Sequence, residues 1–463
     1  PDDGYDEFKA SGLETFDVAL PRTEHAWGTG GYRDVEVQSN HELPIEEDLS
    51  RRDFTINAMA RKFTDVSSQF TELIDPFHGM DDLKVKVIRA VGEPKERFDE
   101  DYTRMLRALR FACELGFSGE AGPGSAWTIE SATMDALQAV MPRINDKRAD
   151  APRPVLSPLA EFVAPREMVS EEMLKAFYAD PVRAFDLYDE SGAFEMLMPE
   201  LLKMKKCPQP EEFHSEGDVW THTRLALQAL GSEEYARLFG HPHPNPLPKG
   251  EGVQSKSPLP AGEGQGEGDP HYNALLVMAI LFHDIGKPPM LRTPQEHGVD
   301  RVRFDEHDTV GAALAREIAR SLVLSIMVEG PLHVDYDFLG LLIKHHLILL
   351  HTKAEDFKAS TVEKYFFNPK FPGETLLRLA FCDGSATIPK GGTQGAALPA
   401  DRSAGVHPPQ TGTPNLSGVH GMIARIKRME DAINKKQISP KAFINGDEIM
   451  EMLKIPAGPG IGE

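Results

Sequence analysis

A chain of 463 residues is too long for one ordinary hydrophobic core, so two or three domains are expected. With 40% hydrophobic and 26% charged residues it has a globular composition, and it lacks the window of about 18 apolar residues that a membrane-spanning helix needs. A formal net charge of −22 argues against a generic nucleic-acid binder, so an RNA partner would require local basic surfaces or carboxylate-held metal ions.

The opening Pro1-Asp2-Asp3-Gly4 has neither the basic stretch nor the apolar run of a signal peptide. It also lacks an initiator Met, so the sequence reads as a fragment or a processed chain. Cys113, Cys207 and Cys382 are widely spaced, with no CxxC. That pattern points to a reducing cytoplasm and excludes a cysteine-based zinc site.

In chain order, Thr15 to Leu20 alternates as a strand should, and Val35-Glu36-Val37 reads as another. Glu46 to Arg61 reads as one helix with an acidic first turn, favourable at the positive end of the macrodipole. Asp101 to Leu115 reads as an amphipathic helix ending near Gly116. Strands followed by helices predict an α+β fold at this end. From Glu167 onward the pattern is helical, and Ala274 to Phe282 is apolar all round, as in a helix buried on every side.

Three stretches interrupt this order. Asn145 to Pro165 is rich in proline and charge. His241 to Pro270 carries a near-repeat, Pro246-Leu247-Pro248-Lys249-Gly250-Glu251-Gly252 and Pro258-Leu259-Pro260-Ala261-Gly262-Glu263-Gly264, and Gly391 to Ser417 is polar and Gly/Pro-rich. Such composition buries too little apolar area to fold, so all three read as disordered insertions. His241, His243 and His407 lie inside them and are not counted as metal ligands.

Two segments carry nucleotide chemistry. In Arg51-Arg52-Asp53-Phe54-Thr55-Ile56-Asn57-Ala58, Arg52 and Ile56 are four apart, as are Asp53 and Asn57, so each pair shares a helical face. The arginine pair offers planar forks for phosphate oxygens and the Asn an amide for a ribose hydroxyl. A solvated helix with one polar pair is the alternative. In the second segment, Asp101 and Arg104 are three apart, placing a carboxylate acceptor beside guanidinium donors, a combination that can read the polar edge of a base. Arg104, Arg107 and Arg110 form a shallow basic ladder, with intrahelical salt bridging as the alternative.

These two segments, with Glu72-Leu73-Ile74-Asp75-Pro76-Phe77-His78-Gly79-Met80-Asp81-Asp82-Leu83 between them, resemble the bacterial-type tRNA nucleotidyltransferase/poly(A) polymerase family. The resemblance implies a polymerase-beta-like head, present in part, followed by a mostly helical neck and body. It implies that Arg51, Arg52, Asp53 and Asn57 support a nucleoside triphosphate. It further implies that Glu100, Asp101 and Arg104 act as a protein template pairing with the base of ATP or CTP. The family's Gly-Gly…Arg-Asp turn and its Asp-x-Asp pair, which hold two Mg²⁺, have no counterpart here. Phe16 to Glu24 resembles the strand of the third carboxylate, making Asp17 its candidate. One Asp cannot complete octahedral Mg²⁺ ligation, so this chain alone is expected not to add nucleotides, whereas the complete protein would.

A second constellation follows. Glu216-Gly217-Asp218-Val219-Trp220-Thr221-His222-Thr223 precedes Leu281-Phe282-His283-Asp284-Ile285-Gly286-Lys287-Pro288, then Phe304-Asp305-Glu306-His307, His345-His346 and Phe381-Cys382-Asp383. Adjacent His and Asp at the end of a buried helix need compensation, which a metal ion provides. The order resembles the HD superfamily of metal-dependent phosphohydrolases. That implies His222, His283, Asp284 and Asp383 as ligands, with His307 and one of His345 or His346 at a second position. Nitrogen and oxygen donors suit Mn²⁺, Fe²⁺, Ni²⁺ or Zn²⁺. Phosphatase or 2′,3′-cyclic phosphodiesterase activity is the implied chemistry.

Near the end, Arg425, Lys427 and Arg428 either contact the tRNA acceptor arm or line a solvated helix. The segments around Phe443 and Pro456 resemble a motif near the family's C-terminus, within which the chain stops. The expected organisation is 1–90 as the C-terminal part of the head and 91–144 as nucleotide-binding neck helices. Then come an insertion at 145–165, a helical body at 166–213, the HD domain at 214–390 with its insertion at 241–270, an insertion at 391–417, and a helical RNA-binding tail at 418–463. The function so implied is cytoplasmic addition of C and A to tRNA 3′ ends, complete or CC-only or A-only, with tRNA, ATP and CTP as partners and no membrane association. Poly(A) polymerase is the near alternative, and an HD phosphohydrolase with a non-functional transferase half is the alternative of another class.

Overall fold

The computed structural model describes residues 20–26, 29–31, 34–63, 70–116, 127–148, 161–239, 272–326, 330–349, 354–368, 370–389 and 416–438. Its described strands all precede residue 130 and form three two-stranded pairs. Strand β1 (Arg22–Ala26) pairs antiparallel with β2 (Val35–Ser39), with Arg22 opposite Ser39. Strand β3 (Ala60–Phe63) pairs antiparallel with β4 (Phe70–Ile74), and β5 (Val87–Ile88) pairs parallel with β6 (Thr128–Ile129). The expected strand over Val35–Val37 is part of β2. Residues 15–19 of the other expected strand, Asp17 included, lie outside the described residues, as do 240–271 and 390–415.

The helix expected over Glu46–Arg61 is much shorter. Helix α1 (Ile45–Ser50) keeps the acidic first turn of Glu46, Glu47 and Asp48 and then stops. Two effects end it. The Phe54 amide donates to the Asp53 side chain at 2.8 Å, a local bond that competes with helix. Phe54 is also extended and bridges Ala90, while the Thr55 amide donates to Arg89 O and the Val91 amide to Asp53 O. Pairing with residues 89–91 therefore overrides the helical period, and the 51–57 segment is a turn with a short 3₁₀ piece over Thr55–Asn57.

Helix α2 (Gly79–Val85) follows Asp75, whose two carboxylate oxygens accept from the Gly79 and Met80 amides at 2.7 and 2.9 Å. Then come α3 (Pro94–Glu100), α4 (Thr103–Glu114) and α5 (Ser131–Val140). Helix α4 is amphipathic as expected: Met105, Leu106, Ala108, Leu109, Ala112 and Cys113 are buried at three- and four-residue spacing. That face packs on α6 (Arg166–Ala179), which is followed by α7 (Pro181–Glu190).

The reading of 145–165 as a disordered insertion is corrected at both ends. Lys147 bridges Phe162, the Arg148 amide donates to Glu161 O, and the Val163 amide donates to Asp146 O. Val163 and Ala164 then insert into the core, so burial of two apolar residues fixes a segment whose composition suggested none.

Further helices build the second half, among them α8 (Val219–Ala229), α9 (Ala274–Phe282), α10 (His307–Leu322), α11 (Tyr336–His345) and α12 (Gly373–Ala386). All nine residues of α9 are buried, and Asn273 caps it by accepting from the Leu276 amide at 2.9 Å. Helix α9 contacts α6, α8, α11 and α12, which is why its sequence has no polar face. Helix α13 (Ser417–Ile438) packs on α12 and takes in Ser417, the last residue of the third expected insertion. Cys113, Cys207 and Cys382 are buried and free. Among the described residues no helix is long and apolar enough to cross a membrane.

Candidate functional site

The two nucleotide segments meet. Asp53, buried where the 51–57 turn crosses α4, accepts from Arg107 Nε at 2.8 Å and lies 2.7 Å from its Nη2. Its other oxygen accepts from the Asn57 side chain at 3.1 Å, so the expected Asp53/Asn57 pairing exists on a turn, not on a helix. Arg104 Nη2 donates to the Arg51 carbonyl at 3.2 Å, and Phe54 packs edge-on against Phe111 with centroids 5.8 Å apart.

The basic ladder is neutralised by carboxylates from several elements. Arg104 pairs with Glu100 at 2.6 Å, Arg107 with Asp53, and Arg110 with Glu172 of α6 and with Glu114. Arg51 is held by Asp48 at 2.7 Å and Glu24 at 2.6 Å. The guanidiniums that keep most access to solvent are Arg52, 46% exposed, and Arg107, 33% exposed. Asp101 accepts through Oδ1 from the Thr103 amide and hydroxyl at 2.9 and 2.6 Å, and burial pushes its carboxyl up from the usual range despite those bonds. Asp17 is outside the described residues, so no magnesium site is traced at the head. On α13, Lys427 and Arg428 are exposed and Arg425 is half-buried.

The second cluster is buried and converges on Asp284. His283 and Asp284 follow the last turn of α9, His222 projects from α8, Asp383 from the end of α12, His307 opens α10, and His346 follows α11. His222 Nε2 is 3.0 Å from Asp383 Oδ1 and 4.0 Å from Asp284 Oδ2. His283 Nε2 is 3.2 Å from Asp284 Oδ2 and 3.9 Å from Asp383 Oδ1. On the other side, His307 Nε2 and His346 Nε2 stand 3.6 and 3.7 Å from Asp284 Oδ1. Two ligand triads therefore share Asp284: one with His222 and His283, the other with His307 and His346.

The imidazoles are oriented alike. Nδ1 donates to the carbonyl three residues earlier in His283 (Ile280, 2.7 Å), His307 (Phe304, 2.8 Å) and His346 (Ile343, 2.6 Å). Their Nε2 atoms, together with Asp284 Oδ1, are buried without a hydrogen-bond partner. Buried orphan acceptors facing one another from separate elements are costly, and a divalent cation satisfies all of them at once. The donor set thus fits a metal.

Burial alone would raise the Asp284 and Asp383 carboxyls. Neighbouring His283 and Lys287 at Asp284, and His283 and His222 at Asp383, hold both below the usual carboxylate range. Burial opposes charge on His222, but hydrogen bonds to Asp383 and Glu216 push it up to about 9.

His345 does not join the cluster. Successive residues of a helix point about 100° apart, and His345 turns to Tyr365 (OH to Nδ1, 3.4 Å) and Phe371. Three neighbours escaped the sequence reading. Lys287 Nζ lies 2.6 Å from Asp284 Oδ2 and donates to Gln209 at 2.8 Å, while Glu216 accepts from His222 Nδ1 at 2.8 Å. Lys287 and Glu216 stand within the quoted motifs, where a charged residue near the expected His and Asp ligands was the available signal. Gln209, 78 residues from Lys287, had none.

Comparison with known proteins agrees with this division. The sequence model of the poly A polymerase head domain matches residues 7–89, and that of the HD domain matches 265–365. The HD match takes in His283, Asp284, His307 and His346, whereas His222 and Asp383 fall on either side of it. A "Multifunctional CCA protein" of Methylobacillus flagellatus is 28% identical over 375 residues, covering 80% of this chain and 70% of the relative. One of Alkalilimnicola ehrlichii is 35% identical over 215 residues, covering 46% of this chain and 44% of the relative. The chain therefore spans less than half of some curated relatives it matches. A CCA-adding enzyme solved in an apo form overlaps 96% of this chain and 70% of its own at 18% identity and a TM-score of 0.45, too loosely to bear on the chemistry. Residues 7–89 thus match the poly A polymerase head domain and residues 265–365 the HD domain, in a chain that is similar to multifunctional CCA proteins.

Proposed function

We propose that this protein adds C and A to tRNA 3′ ends from CTP and ATP, and that its HD domain is a divalent-metal phosphohydrolase. The observation that carries the first part is the clamp between Asp53 and Arg107, with Arg104 on the Arg51 carbonyl. It brings both nucleotide segments to one face. Arg52 and Arg107, flanking Asp53, would take phosphate oxygens. Asp101 spends Oδ1 on Thr103, which leaves Oδ2 to accept from an exocyclic amine of the base. Mg²⁺, with Asp17 among its ligands, is the ion proposed for the head. Arg425, Lys427 and Arg428 on α13 are proposed to meet the RNA, and the domain limits proposed are those expected from the sequence, save at the two ends of 145–165.

The HD reading rests on a separate observation, the orphaned acceptors around Asp284. His222, His283, Asp284 and Asp383 would hold one ion, and Asp284, His307 and His346 a second, with Mn²⁺, Ni²⁺ or Zn²⁺ suited to the donors. When bound, the ions supply Lewis acidity toward a phosphoester oxygen. The side chains orient that charge, and the α9 core excludes bulk water from it.

The direct test gives the full-length protein a tRNA lacking its 3′ end with CTP and ATP, separately and together, and sequences the products. CCA ends with both nucleotides are expected, and long A tails would instead mark a poly(A) polymerase. Failure with every combination, alongside metal-dependent phosphatase activity lost in Asp284→Ala, would leave only the hydrolase.

A further inference from the structure

The four histidines around Asp284 differ in one respect. His283, His307 and His346 present Nδ1–H to neutral backbone carbonyls, while His222 presents it to the carboxylate of Glu216. Glu216 is 4% exposed and is fully engaged. Its Oε1 accepts from His222 at 2.8 Å and from His214 Nδ1 at 2.7 Å, and its Oε2 accepts from the Ile388 amide at 2.9 Å. It lies six residues before His222 but is pinned by a residue 172 positions later, just past the end of α12. One carboxylate thus ties the His222 helix to the Asp383 helix from behind the cluster.

We infer that Glu216 is a positioning residue that fixes His222 with Nε2 facing the cluster and makes the His222/His283/Asp284/Asp383 position the first to fill with a divalent ion. The inference rests on the metal reading of the HD cluster. A ligand imidazole whose second nitrogen donates to a carboxylate is a stronger donor than one donating to a carbonyl, and is held in one orientation. This position also offers two carboxylates, where the His307/His346 position has only the shared Asp284. More anionic ligands on a preoriented frame bind a cation more tightly.

Mn²⁺ binding to the whole protein, followed by the EPR signal of the free ion and by calorimetry, tests this. Wild type is expected to bind two ions of unequal affinity, with His307→Ala losing the weaker. Glu216→Ala should weaken the tighter one by about 10- to 100-fold and leave the weaker within a few-fold. Glu216→Gln keeps the size of the side chain but removes its charge, and should fall between the two. If Glu216→Ala does not fold, as read by circular dichroism and thermal melting, Glu216→Gln alone decides the matter. Unchanged tight binding in a folded Glu216 variant overturns the inference while sparing the metal centre. A wild type that binds no Mn²⁺ removes the metal centre and the inference together.

Discussion

At Gly286 a methyl group would lie 2.0 Å from the His307 carbonyl oxygen and 2.6 Å from the Gly311 nitrogen. The absent side chain is what lets α10 approach the turn after α9 closely enough for His307 to face Asp284. Both obstacles are backbone, so Gly286→Ala should force the two apart. A cost of about 1–3 kcal/mol is expected from overpacking, seen as a lower thermal midpoint, with loss of the second ion in Mn²⁺ titration and retention of the first. A different single residue governs the head. Burial alone would raise the Asp48 carboxyl, but hydrogen bonds from Arg51, from the Arg22 amide and from Arg52 hold it below 3.8. A carboxyl depressed on folding stabilises the folded state above its unfolded pKa, and that contribution is lost as pH falls through the lower folded value. Asp48→Asn should therefore lower stability at neutral pH and flatten the acid side of the stability profile below about pH 4, measured by urea unfolding across pH. At this scale the sequence was legible where chemistry sits beside its motif: His283 and Asp284 share the cluster expected of them. The choice between His345 and His346 was not legible, because it depends on where α11 ends relative to its neighbours.

Helices α4 and α6 meet through one carboxylate as well as through their apolar faces. Glu172, on α6, takes Arg110 Nε at 2.5 Å and lies 3.6 Å from Arg107. Burial pushes its carboxyl up in spite of both guanidiniums, so this pair sits where charge is expensive. Glu172→Gln should cost roughly 3 kcal/mol, the low end for breaking a buried pair, because Arg110 keeps Glu114 and Arg107 keeps Asp53. Chemical denaturation measures that cost. A loss in nucleotide affinity alongside it would follow from a displaced Arg107. The period of α4 and the all-apolar α9 were readable because each depends on its own residues. Helix α1 was overestimated because its continuation is decided by pairing with residues 89–91, which no local pattern in 51–61 reveals. The ends of the 145–165 stretch were missed for the same reason, since their order comes from Val163 and Ala164 meeting a core formed elsewhere.

Across the whole molecule the charge is −22, and Arg104, Arg107 and Arg110 are each paired with carboxylates, while Arg52 stays 46% exposed. Helix α6 joins the two halves: one side packs on α4, the other reaches α9 and α10, and Ser170 donates to the Leu322 carbonyl. The helices from α3 onward share one continuous core with the HD cluster, while Leu49, Ala58 and Val91 form a smaller core of their own at the head. The motifs made this two-part organisation legible. The network behind them, with Glu216, Gln209 and Glu172, was not, because its partners are far apart in sequence and carry no spacing. The account stands most on the claim that Asp284 and the five side chains around it form a two-ion metal centre. Crystals grown or soaked with Mn²⁺ and measured for anomalous scattering test it directly. Two peaks are predicted about 3.5–4 Å apart, one beside His222, His283 and Asp383 and the other beside His307 and His346, with Asp284 between them. The absence of anomalous density at both positions in a protein saturated with Mn²⁺ would contradict it.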